Sequence, residues 1–174
     1  MKKILVLIVA ALMALGLAVP VSADQVKDLI TDGRATRADV GDLDISVVGD
    51  QLVITFTTTG GWEFVETHLY VGQVPPAKSS PGQFPLKHES LAPATSDFYS
   101  IPLPAPGTLY VAAQAAVRLF TVTGYDITDP LNPVPIYGYV YESAWAQSPD
   151  LSGDIHFGKG KNWATYFGWT PVVQ

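Results

Sequence analysis

The residues of this chain best placed to do chemistry together are Glu66, His68 and Tyr70, at i, i+2 and i+4 within the stretch Trp62 to Val71. Side chains alternate across a strand, so this spacing puts a carboxylate, an imidazole and a phenol on one face. Val65, Leu69 and Val71 then fall on the other face, toward a core. A carboxylate beside an imidazole can act as an acid–base pair or offer two ligands to a metal. A metal needs at least one more donor, and Glu142 is the best candidate for it. Glu66 and Glu142 could also serve glycoside hydrolysis at the right separation. The plainer reading, which the sequence favours, is a hydrogen-bonded structural pair covered by the segment that follows.

Other groupings are weaker. Asp150 and Asp154, in Asp-Leu-Ser-Gly-Asp, could wrap a calcium ion through carboxylates and backbone carbonyls, but the alternating ligands and distal Glu of an EF-hand are missing. Otherwise this is a polar turn, and calcium is the one cofactor the sequence leaves open. Trp145, Trp163, Tyr166 and Trp169 could form a stacking platform for a sugar or a partner's side chain. Some of these rings must be core, and Trp145 and Tyr166 are expected to be the exposed ones. Gly153 to Lys159 begins like a phosphate loop, but Gly160 stands where the magnesium-binding hydroxyl belongs. There is no GxSxG, no HExxH and no cysteine. Without a nucleophile or a complete metal motif, a non-catalytic binding or self-assembling module is favoured. The alternative is a small secreted hydrolase using Glu66, His68 and Glu142.

The elements that must position these residues read as strands. Residues 1–23 have the form of a signal peptide: Lys2 and Lys3, an apolar run from Ile4 to Leu17, then Val21-Ser22-Ala23. Residues 24–174 then form a single domain, large enough for one core. Losing the leader's two lysines and no acid moves the formal net charge from −6 to −8. Nucleic acid is excluded as a main partner, because phosphate contacts need clustered Lys and Arg. No second apolar stretch is long enough to span a membrane. With no cysteine, stability must come from burial rather than disulfides.

Strand signals run along the domain, beginning with an edge strand around Val26 to Ile30. Leu43, Ile45 and Val47 alternate with polar residues, and Leu52, Ile54 and Phe56 do the same in QLVITFTTT. With Trp62 to Val71 they make a meander. Eight prolines between Gln73 and Pro106 predict an ordered crossover with one short strand near Phe98 to Leu103. Thr108 to Thr123 is the longest strand candidate, its alanines implying tight packing against bulky neighbours. A loop over Gly124 to Pro135 leads to closing strands at Tyr137 to Trp145 and Trp163 to Thr170. The expectation is an all-β, antiparallel two-sheet β-sandwich of about eight strands with a proline-rich crossover.

The blocks VGDLDISVVGDQLVITFTTTGGWEFVETHLYVG, GQFPLKH, LYVAAQAAV, ESAW and NWATYF resemble those of secreted, largely uncharacterised bacterial and archaeal surface proteins carrying ETHL, ETAW and NWATYF. The resemblance spans nearly the whole of 24–174. It implies an exported β-domain at the cell surface; the favoured binding or self-assembling module would work there or in the extracellular matrix, with an extracellular glycan, a protein or itself as partner. It supplies no activity. Gln114 stands where members often have histidine, which weakens any metal site built through that position.

Overall fold

A computed structural model describes residues 25–31, 37–148, 150, 152–158 and 163–171; the leader lies outside them. The β-branched, alternating segments form ten strands: β1 (Gln25–Thr31), β2 (Asp39–Val48), β3 (Gln51–Thr58), β4 (Glu63–Gly72), β5 (Leu86–His88), β6 (Ser96–Pro102), β7 (Leu109–Asp126), β8 (Val134–Gln147), β9 (Asp154–His156) and β10 (Thr165–Trp169). One 3-10 turn, Pro81–Gln83, interrupts the crossover, and among the described residues there is no α-helix. None is therefore long and apolar enough to cross a membrane.

All pairings are antiparallel, and they connect into one sheet of order β5-β4-β7-β8-β1-β2-β3-β6, with β10 on β7 and β9 on β10. The sequence predicts two sheets; here the crossover never starts a second one. Its short strands instead extend both ends of the first, β5 beside β4 and β6 beside β3. Those ends approach each other, so the sheet is nearly closed and barrel-like. Across the seam, the Phe64 amide donates to the Ala94 carbonyl (2.8 Å) and the Leu91 amide to the Val65 carbonyl (2.8 Å).

The interior follows from the alternation. Leu43, Ile45, Leu52, Ile54 and Phe56 are fully buried, as are Leu109, Val111, Ala115 and Val117 of β7. Phe56 meets Phe64 edge-on at 6.1 Å between ring centroids. The alanines of β7 lie in the middle of the sheet, where β4 and β8 flank them closely. At Gly41 (φ +152°) β2 runs so close to β3 that a Cβ would lie 1.9 Å from the Thr57 carbonyl oxygen. Only glycine fits there.

Two parts of the sequence reading need correction. A register shift between Phe64 and Glu66 places Val65 in a bulge, so Phe64 and Thr67 join the expected Leu69 and Val71 as the inward residues of β4, and Val65 does not. The bulge carries an extra residue, which resets the alternation. The expected loop over Gly124 to Pro135 is also shorter. β7 continues to Asp126 and β8 begins at Val134, the two paired across another shift at Val122 to Gly124. Pro135 is accommodated because the ribbon's other edge needs no hydrogen bond from it.

Candidate functional site

Residues directly opposed in an antiparallel sheet point to the same face. His68, Gln114 and Trp145 form one such row across β4, β7 and β8, and Glu66, Ala116 and Ser143 form the next. Both lie on the outer face. His68 is buried there, its Nδ1 2.8 Å from Gln114 Oε1, while Gln114 Nε2 donates to Ser143 Oγ at 2.8 Å. An amide oxygen only accepts, so His68 Nδ1 carries the proton in this arrangement. Its Nε2 is 3.8 Å from Glu66, whose side chain is 40% exposed. The imidazole is therefore held mainly by Gln114, a partner that the i, i+2 spacing did not reveal.

Glu142 does not join this group. It lies in the row of Val117 and Phe64, the inward row, so the sheet separates it from Glu66 and His68. Consecutive residues of β8 alternate, and Ser143 takes the outward place that the sequence reading gave to Glu142. Among the described residues, no three His, Asp or Glu side chains are grouped to hold a metal.

The aromatic residues are arranged differently from the expectation as well. Trp145 is buried, 6.1 Å from Phe84, 6.0 Å from Phe157 and 6.3 Å from Trp163, all edge-on. The crossover brings Phe84 over this face and the C-terminal segment brings Phe157. Tyr166 is half-buried at its margin, 4.9 Å from Phe157. These rings form a second, outer core. A shallow cleft of about 180 Å³ between Tyr70, Pro76, Lys78 and Phe84 adjoins it.

Asp154 has an internal partner. Its side chain is fully buried, as is all but 6% of Lys27, and Lys27 Nζ lies 3.0 Å from Asp154 Oδ1. The Ser148 amide donates to Oδ2 at 2.6 Å, Ser148 Oγ contacts Lys27 Nζ, and the ammonium lies 4.7 Å from the centre of the Phe167 ring. Asp150 is exposed and accepts from the Ser152 amide at 2.9 Å. Hydrogen bonding from Ser152 holds its carboxyl below the usual range.

A third polar group closes the seam. His88 stacks on Tyr99 (4.4 Å, 7°) while its Nδ1 contacts Asp97 at 2.9 Å. Tyr99 reaches Thr67 Oγ1 at 2.8 Å and donates to the Thr67 carbonyl at 3.0 Å, and Thr67 Oγ1 also donates to Asp97. Burial pushes the Tyr99 phenol up to about 12. This places His88 and Asp97 in a structural clasp.

What remains exposed is the far half of the β7–β8 ribbon. β4 leaves β7 at Arg118 and β1 leaves β8 at Ala144, so among the described residues the ribbon beyond them has no strand on either side. At about 3.3 Å per residue it projects roughly 30 Å. Its outward rows are Arg118 with Tyr141, Phe120 with Tyr139, and Val122 with Tyr137, and all the rings are exposed. Phe120 stacks on Tyr137 (6.0 Å, 20°), and the Arg118 guanidinium lies 4.4 Å from the Tyr139 ring centre. Arg118 is held in place by Glu63 at 2.9 Å, which raises its already high pKa. At the tip Leu131 is 90% exposed, while Asp126 and Asp129 fold the turn by accepting from the amides of Thr128 and Leu131. The signal for this surface was present in the tyrosines of IYGYVY, which alternate as a strand face does.

No family model, curated protein or solved structure matches this chain.

Proposed function

We propose that this chain is an exported β-domain of the cell surface or extracellular matrix that acts by contact rather than catalysis, and that the projecting β7–β8 ribbon is its contact surface. The observation that carries this reading is the row of exposed rings, Phe120, Tyr137, Tyr139 and Tyr141, on a two-stranded arm extending beyond the barrel. Folded chains seldom present so many large rings together on one face without a partner to cover them. Tyrosine also suits recognition, combining a broad apolar ring with a hydroxyl at low entropy cost. The groups that could have formed a catalytic centre are separated or engaged: Glu142 is across the sheet from Glu66, and His68 is tied to Gln114. The signal-peptide-like leader and the resemblance to exported surface proteins support the location.

The test is the triple variant Tyr137→Ser, Tyr139→Ser, Tyr141→Ser, compared with the native chain for self-association and for retention on a panel of insoluble polysaccharides. We expect the variant to keep its circular dichroism spectrum and to lose whichever association the native chain shows. Association that survives the triple change would refute the ribbon as contact surface. Hydrolysis of a panel glycan or peptide, abolished by Glu66→Ala, would refute the non-catalytic reading.

A further inference from the structure

Among the described residues, the β8 edge of the ribbon is less guarded than the outer edges of β5, β6 and β9. Natural sheets blunt free edges with charge, proline or shortness. Here β5 has three residues including Lys87, β6 contains Asp97 and ends at Pro102, and β9 has three residues beginning with Asp154. By contrast, Ile136 to Tyr141 of β8 reads IYGYVY, without charge or proline and rich in strand-forming residues. On its side away from β7, no described strand pairs with β8 from Val134 to Ser143.

We propose that this edge pairs antiparallel with the same edge of a second copy, about a two-fold axis through Tyr139. The inference rests on the ribbon being the contact surface and names its partner. In a symmetric antiparallel pair, opposed residues share a face, so each residue must meet one of its own parity. Centring on Tyr139 sets Tyr137 against Tyr141, Tyr139 against its own copy, Gly138 against Val140 and Ile136 against Glu142. The paired stretch then runs from Pro135 to Ser143, with Pro135, which lacks an N–H, able to offer only its carbonyl to the terminal pair. One step further, Val134 would meet Ala144, and that edge is already taken by Thr31 of β1. The open length of β8 thus matches the length this register uses.

The chemistry agrees with that register. The tyrosine rows of both ribbons join into one four-stranded aromatic face. The single acid of the edge, Glu142, meets Ile136 rather than another carboxylate, avoiding the like-charge opposition that destabilises a strand pair. Because the ribbons run antiparallel, the two bodies, each of formal net charge −6 or below, lie at opposite ends of the joint. The contact is isologous and closed, so it stops at a dimer.

The experiment uses the full chain purified after export. Sedimentation velocity should show twice the monomer mass, with no larger species as concentration rises. Tyr139→Glu places two carboxylates opposite each other on the axis and should leave monomers. Mixing it with Tyr139→Lys should restore a dimer containing one of each. The chain has no cysteine, so single introduced cysteines report the register. Opposed Cβ atoms are about 4.5–5.5 Å apart, close enough for a disulfide after small adjustment. Tyr139→Cys should cross-link with itself under mild oxidation. Tyr137→Cys should cross-link with Tyr141→Cys faster than either does alone. A native monomer at all concentrations, or growth into filaments through the β7 edge, would overturn the two-fold pairing. If that monomer still binds polysaccharide through the ribbon tyrosines, the contact-module reading stands and only the self-pairing falls. If the triple serine variant also behaves like the native chain, both fall.

Discussion

Lys27 and Asp154 link β1 to β9, and their burial makes removal of either charge costly. At 6% and 0% side-chain exposure, neither group can recover hydration when its partner is lost. Asp154→Asn keeps an oxygen for the Ser148 amide but takes the contacting carboxylate from an ammonium that lies beside Ser148 Oγ and the Phe167 ring. Lys27→Met keeps the side-chain bulk but leaves a buried carboxylate. Breaking a buried pair from one side typically costs about 3–5 kcal/mol. For a domain of this size that lowers the melting temperature by roughly 10 °C. The double variant removes both charges and retains an acceptor for the Ser148 amide, so it should lose less than the two single losses combined, with a coupling of about 2–3 kcal/mol. Urea unfolding of all four chains with a common m-value measures this directly. A single variant that loses less than about 1 kcal/mol would show the pair to be hydrated, and the reasoning from burial would be wrong.

The outer-face row gives a contrast between neighbours. Glu66→Gln should cost less than about 1 kcal/mol, because its carboxylate is 3.8 Å from His68 and 40% exposed. Gln114→Leu should cost about 1–3 kcal/mol by leaving the buried His68 donor unsatisfied; thermal melts that reverse this order would refute the assignment of Gln114 as the principal partner. Gly41→Ala should destabilise by about 1–3 kcal/mol through its contact with the Thr57 carbonyl, and an unchanged urea midpoint would show that β2 can move away from β3. Tyr99 has its phenol raised to about 12, so the unfolded chain releases this proton first. Its contribution to stability should be complete below pH 10 and disappear between pH 10 and 12. Ultraviolet titration that finds every tyrosine ionised near pH 10 in the folded chain would contradict this.

Much of the fold can be read from alternation alone, since burial on one face of a strand leaves a period of two. Leu43, Ile45, Leu52, Ile54 and Phe56 point inward as their spacing requires, and β7 is a strand despite its alanines. Glu66 and His68 share the outer face, also as their spacing requires. The rest depends on register and closure, which no local pattern contains. One extra residue at Val65 decides that Phe64, not Val65, enters the core, and the β7–β8 register decides that Ser143, not Glu142, lies beside Glu66. The expected second sheet depended on where the crossover strands pair, and they pair at the two ends of the first sheet. Trp145 is covered because Phe84 and Phe157 arrive from distant parts of the chain. The tyrosines of β8 are exposed for the opposite reason. Their composition is that of a buried strand, but β1 and β4 end before reaching them, and only the tertiary structure shows where a neighbouring strand stops.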